Sequence, residues 1–161
     1  MKNIIIKIIG DAYSHTNDTA YQNLISYISQ KSFFGGYGIL PPYHPDFLTE
    51  QFIQSEYHSH HYTDKKVWHF IIAIQDIPKY TLASLANTIS SIFCFHYQCI
   101  YGIDFEYGHD HIHFAINAYS YQANYPTLSQ AIFESYLEKV NTLLSVRYPE
   151  HRIDTIWGGE Q

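Results

Sequence analysis

Val67 to Ile74 reads Val-Trp-His-Phe-Ile-Ile-Ala-Ile, and no other stretch constrains the fold as tightly. Its β-branched and aromatic residues favour a strand. Its apolar character on both faces says that the strand is central. The remaining periodicities supply its neighbours and its cover. Asn3 to Ile9 is β-branched and apolar, a strand buried largely on both faces. Gly10 ends it, and Thr16, Asn17 and Asp18 are N-cap candidates for a helix from about Thr19 to Gln30. In that helix Tyr21, Leu24, Ile25 and Ile28 follow the spacing of a buried stripe. Tyr27 lies off the stripe, next to its edge.

Gly35-Gly36 and Gly38 make Phe33 to Leu40 a turn or short hairpin. Phe47 to Tyr57 reads as a helix and His58 to Lys66 as a polar loop. After a turn at Asp76 to Tyr80, Thr81 to Tyr97 reads as a helix. Its apolar face carries Leu82, Leu85, Ala86, Ile89, Ile92 and Phe93. Cys99 to Glu106 is a strand, Tyr107 to Asp110 a tight connection, and His111 to Tyr119 the hairpin partner. Thr127 to Tyr148 is a long helix stopped before Pro149, and Ile153 to Trp157 is a last strand. This order predicts an α+β fold with a single antiparallel-type sheet and helices packed on it. With 161 residues, 46% of them apolar, one domain over 1–161 is the simplest division. It would bury very roughly 70% of the unfolded chain's surface.

Composition narrows the function. No run of about 18 apolar residues exists, so no membrane span is expected. The apolar stretch after Met1 is too short for a secretory signal. Cys94 and Cys99 form neither a disulfide framework nor a CxxC motif, which points to a reducing cytoplasm. Nine Lys and Arg face fifteen Asp and Glu, a formal charge of −6. None of the nine Lys and Arg lies between Tyr80 and Glu138. Nucleic-acid binders ordinarily carry a basic patch. Affinity for nucleic acid must therefore come from a local site, a bound metal and stacking aromatics, of which sixteen Tyr, ten Phe and two Trp are available.

His111-Ile112-His113 is the pattern richest in chemistry. Side chains alternate along a strand, so both imidazoles leave one face, roughly 7 Å apart. Two imidazoles on a rigid face are a ready pair of metal ligands if a third joins them. The plainer alternative is a pair of partly exposed surface histidines. Asp104, Glu106 and His109 crowd the same segment.

These pieces, in this order, resemble the relaxase or mobilisation-nuclease family, tyrosine members of the HUH endonucleases. The resemblance covers roughly residues 4–148. It rests on the N-terminal strand, the helix with Leu24-Ile25-Ser26-Tyr27-Ile28, and the strand Trp68-His69-Phe70-Ile71-Ile72-Ala73-Ile74. A further helix and His111-Ile112-His113-Phe114-Ala115-Ile116-Asn117 complete it. It implies an HUH/ferredoxin-like core and nicking and rejoining of single-stranded DNA at an origin of transfer. It also implies a covalent phosphotyrosine intermediate, a divalent metal (Mg²⁺ or Mn²⁺), and mobilisation or relaxosome proteins as partners. Tyr27 takes the place of the family's nucleophile, with Tyr21 and Tyr136 next in line. His111 and His113 take the places of metal ligands. The family often has a histidine seven residues before the first of the pair; here Asp104 stands there, an oxygen ligand suited to Mg²⁺ or Mn²⁺. Glu106, two residues on, would orient or deprotonate the tyrosine, or is a solvated strand-end charge.

His109 has the parity of the pair and is the other candidate third ligand, although it falls in the connection. His69 is either a buried, hydrogen-bonded histidine or part of the site. His58, His60 and His61 resemble a metal cluster, but a loop is a poor scaffold for one. Family members usually continue into helicase, primase or other domains, whereas this sequence ends at Gln161; a minimal nuclease, a trimmed form and a remnant are all open. Two rivals stand beside this reading. One is a small HUH tyrosine transposase acting on DNA hairpins, with its tyrosine on a C-terminal helix where Tyr136 lies. The other is a non-catalytic accessory protein on a relaxase-like fold.

The scarcity of cations sets an expectation for DNA binding. The logarithm of single-strand affinity should fall shallowly with the logarithm of salt, corresponding to roughly two to four neutralised phosphates. Fluorescence anisotropy across a salt series measures the slope, and a slope typical of about eight contacts would reveal a basic groove assembled in three dimensions.

Overall fold

Alternation along the strands divides the protein into two unequal layers. The computed structural model describes residues 2–10, 15–17, 19–106 and 109–159, with Glu106 described in its backbone alone. The elements run β1 (Asn3–Ile9), α1 (Ala20–Ser29), β2 (Phe33–Tyr37), α2 (Pro45–His58), β3 (Val67–Ile74), α3 (Lys79–Phe93), β4 (Cys99–Glu106), β5 (His109–Asn117), α4 (Gln130–Arg147) and β6 (Arg152–Gly159). Six strands form one sheet in the order β2-β4-β5-β3-β1-β6. The apolar run of β3 is central, between β5 and β1, as its composition demands.

One face of the sheet is fully apolar. Ile4, Ile6 and Ile8 of β1, Phe70 and Ile72 of β3, and Ile112, Phe114 and Ile116 of β5 are buried there under α3 and α4. Phe70 stacks on Phe114 with ring centroids 4.6 Å apart, and Trp68 stacks on Phe133 of α4 at 4.4 Å. The opposite face is only partly covered. Helix α1 packs over β4, β5 and β3 and buries Leu24, Ile25 and Ile28 against Ile100 and Ala115, with Phe52 of α2 in the same cluster. Asn117 closes the end of β5 beneath α2. Its amide donates to the Phe52 carbonyl at 3.1 Å and to Gln98 Oε1 at 2.9 Å.

The structure corrects several expectations. The sheet is mixed rather than antiparallel throughout, because β6 runs parallel to β1. Helix α4 carries the chain from the end of β5 back to the level where β5 began, so the next strand points the same way. Strand β1 is fully buried on one face only; on the other Ile9 is buried but Ile5 and Lys7 are half-exposed, because α1 lies over β4, β5 and β3 instead. Phe33 to Leu40 is not a hairpin. Its first five residues form the edge strand β2, paired antiparallel with β4. Glycine there serves close packing, since a Cβ on Gly36 would meet the backbone of Cys99 and Ile100 and one on Gly35 the ring of Tyr101.

Helix ends moved for local reasons. Ser129 caps α4 by accepting from the Ile132 N–H at 3.3 Å, so the helix starts at Gln130 rather than Thr127. Helix α3 starts at Lys79 behind Pro78 and ends at Phe93, leaving Tyr97 in a turn whose hydroxyl donates to the Pro126 carbonyl at 2.7 Å. Strand β5 begins at His109, which therefore belongs to the strand and not to the connection. Tyr107 and Gly108 of that connection, and the cap candidate Asp18, lie outside the described residues.

Gly102 of β4 lets α1 settle onto the sheet. A Cβ there would collide with the Ile28 carbonyl and stand 2.8 Å from Lys31 Cγ. Gly102→Ala should therefore push the end of α1 outward and cost about 1–3 kcal/mol, the usual range for overpacking. Urea unfolding measures this, and an unchanged midpoint would mean that the helix is not seated so closely.

Candidate functional site

The parity of β5 decides which side chains meet. His109, His111 and His113 leave the partly covered face, while Ile112 and Phe114 fill the core beneath. In register, His113 lies between Gly102 and Ile71, His111 between Asp104 and Ala73, and Ala115 opposite His69. Small residues thus flank the two deepest histidines. Gly102 leaves room above it for the end of α1, which brings Tyr27 and Lys31 down onto the same face.

These groups form one connected cluster. His69 Nε2 is 3.4 Å from His113 Nδ1. His113 Nε2 is 3.4 Å from Asp104 Oδ2, and the same oxygen is 2.9 Å from Lys31 Nζ. The Tyr27 ring meets His113 edge-on with centroids 5.3 Å apart and lies 6.3 Å from His69. Lys31 Nζ sits 3.8 Å from the centre of the Tyr27 ring. Tyr27 is half-buried, so it borders both this cluster and a cleft of about 310 Å³ that is also lined by His15 and Asn23.

Burial fixes the protonation states. His69 is wholly buried and His113 nearly so. Desolvation, with His113, His15 and two lysines nearby, pushes the His69 imidazole down to about 3. Desolvation and then the Lys31 charge push His113 down to about 4, despite the opposing pull of Asp104. Both rings are therefore neutral at pH 7, and each carries a single N–H. A carboxylate only accepts, so His113 donates from Nε2 to Asp104 and accepts at Nδ1 from His69 Nε2–H. Lys31 is the positive end of this chain. Burial alone would lower its pKa, but hydrogen bonding and charge from Asp104 and Tyr27 raise it.

The candidate residues do not all converge. Asp104, His113, His69 and Tyr27 come together. His111 shares their face and is the cross-strand partner of Asp104, but its ring lines a separate cavity of about 210 Å³ with Lys7, Asn3 and His109. His109 is exposed and lies 3.5 Å from the Gln75 amide, two residues before His111 at the start of the strand. The side chain of Glu106 lies outside the described residues. Tyr21 is buried in the second core cluster, and desolvation raises its pKa. Tyr136 packs against Phe93 at 4.9 Å, under the opposite face of the sheet. His60 and His61 bind Asn124 and tie two loops together.

Two members of the cluster escaped the sequence reading. Lys31 stands four residues after Tyr27, just past the C-cap Gln30 of α1, and the sequence carried no pattern that placed it on the sheet face. His15 had no such pattern either. Its ring lies 6.2 Å from that of His69, and its Nε2 is buried with no hydrogen-bond partner among the described residues. Desolvation, with Lys65 adding to it, pushes His15 down to about 4.

Asp104 Oδ2 and His113 Nε2 are the two donors that could hold a metal ion. Among the described residues no group of three or more His, Cys, Asp or Glu stands at metal-holding spacing, and the Lys31 ammonium already rests on the Asp104 oxygen. As arranged, the described donors do not by themselves complete a site for a divalent ion. No protein-family model, no curated protein and no solved structure matches the chain.

The buried neutral histidines make stability depend on pH. Their folded pKa values lie below the unfolded value of about 6.5. The unfolded chain therefore binds more protons as pH falls from about 6.5 towards 4, and stability declines through that window. Each of His69, His113 and His15 should contribute a loss of about 1–2 kcal/mol on going from about pH 7.5 to about pH 5. Urea midpoints at the two pH values measure it; His69→Gln and His113→Gln should each flatten the dependence, and equal slopes in all three proteins would contradict the assignment.

Proposed function

We propose that this chain nicks and rejoins single-stranded DNA through a covalent phosphotyrosine, as relaxases do at an origin of transfer. The observation that carries the reading is the seat of Tyr27. A tyrosine from the first helix lies edge-on against His113, beside His69 and Asp104, with an ammonium over its ring. The reading needs a nucleophile, proton-accepting groups and a positive charge at one point, parts that Tyr27, the Asp104 and His113 pair and Lys31 would take.

In the proposed step the Tyr27 oxygen attacks a backbone phosphorus in line. A Tyr27 O–P bond forms and the P–O3′ bond breaks. The phenolic proton passes to the Asp104 carboxylate, which His113 holds in place, and the leaving O3′ takes a proton from solvent to become a 3′ hydroxyl. Lys31 places positive charge where the phosphate oxygens gather negative charge. Rejoining is the reverse reaction, driven by the bond energy kept in the phosphotyrosine. The open part of the same sheet face, with Lys7, His111 and Asn3 around one cavity, is where the strand would continue. The transposase alternative needs its tyrosine on the last helix. Tyr136 is that residue, and it lies under the face opposite the histidines, which favours Tyr27.

Tyr27→Phe removes one oxygen and almost no packing. With single-stranded oligonucleotides, with and without Mn²⁺, the wild-type protein should give a covalent protein–DNA band on a denaturing gel. The variant should give none, while its non-covalent DNA affinity stays within a few-fold. An adduct that persists in Tyr27→Phe would reject Tyr27 as nucleophile. No adduct from the wild type under either condition would reject the activity and favour the accessory-protein reading.

A further inference from the structure

Asp104 already has a cation. Lys31 Nζ is 2.9 Å from Oδ2, the same oxygen that stands 3.4 Å from His113 Nε2. The lysine side chain is only 12% exposed. Its stem is seated over Gly102, where a Cβ would come within 2.8 Å of Cγ, and its head lies 3.8 Å from the centre of the Tyr27 ring. A carboxylate, a glycine trough and an aromatic face thus hold one ammonium in one place. A divalent ion ligated by Asp104 Oδ2 and His113 Nε2 would lie against that ammonium, and the repulsion between like charges at such a distance is severe in a poorly solvated site. His113 would also have to turn its lone pair on Nε2 outward, which it does by donating from Nδ1 to His69 instead.

We infer that Lys31 is the resident cation of this site and that its ammonium and a divalent metal ion compete for Asp104. The metal is admitted only when Lys31 withdraws. The competition requires Asp104, His113 and the position of Lys31 and nothing from DNA, so it holds whether or not Tyr27 attacks a phosphate.

Mn²⁺ titration by calorimetry, at neutral pH and without DNA, tests it. Lys31→Met keeps most of the stem and removes the charge; Lys31→Gln does the same with a polar end, so either carries the test if the other does not fold. Both neutral variants should bind Mn²⁺ at least tenfold more tightly than the wild type. Lys31→Arg keeps the charge and should stay at the wild-type value. Adding Asp104→Asn to a neutral variant should remove the gain. The inference is overturned if the neutral variants bind Mn²⁺ no more tightly than the wild type, or if the gain survives loss of the Asp104 carboxylate. Neither failure would alter the outcome of the Tyr27→Phe adduct assay.

Discussion

The register of β5 between β4 and β3 is the constraint on which the rest of the structure depends. With Phe114 opposite Phe70 and Tyr101, and His113 opposite Ile71 and Gly102, one face of β5 fills the core and the other presents three histidines. A slip of one residue would exchange the two sets, placing imidazoles among the aromatics and Phe114 in the open. The aromatic stack on the buried face therefore holds the histidines in place on the other, since any movement of the ladder loses that packing first.

Upon this ladder the second face is built from small residues. Gly102 and Ala115 leave space on this face, and helix α1 uses it to approach β4 and β5. The approach brings a tyrosine and a lysine from the end of one helix to two histidines and a carboxylate from three strands. The cluster is dry enough to keep both imidazoles neutral, yet its border at Tyr27 is open. The chain of polar groups runs from the Lys31 ammonium through Asp104 and His113 to His69, and the Tyr27 ring lies along its side. That chain explains how the buried histidines tolerate their surroundings: each has a partner, which removes most of the penalty of burying a polar ring.

Periodicity within the sequence identified most elements, since β1, β3 and β4 have the bounds that their apolar runs suggest, and the amphipathic stripe of α1 is buried as spaced. Local reading failed where the deciding atoms belong to distant segments. Gly35 and Gly36 look like turn residues in the chain, but they face β4 and Tyr101 across the sheet. The polarity of Lys7 hinted that β1 is not covered on both faces, yet only the position of α1 over its neighbours shows it. The parallel β6 depends on a helix crossing, which no window of sequence contains.

The sequence by itself determined which residues of one element share a face: alternation put His111 and His113 together and Asp104 with Glu106, and helical spacing set Tyr27 beside a buried stripe. Such facts follow from backbone geometry alone and need no partner. Tertiary structure alone decided which of these side chains meet. It turned His111 towards Lys7, joined His113 to His69 and Asp104, drew in His15, and laid Lys31 on the carboxylate. Those contacts depend on how near α1 comes to the sheet, a distance set by the missing Cβ of Gly102 on a strand more than seventy residues away from the helix it admits.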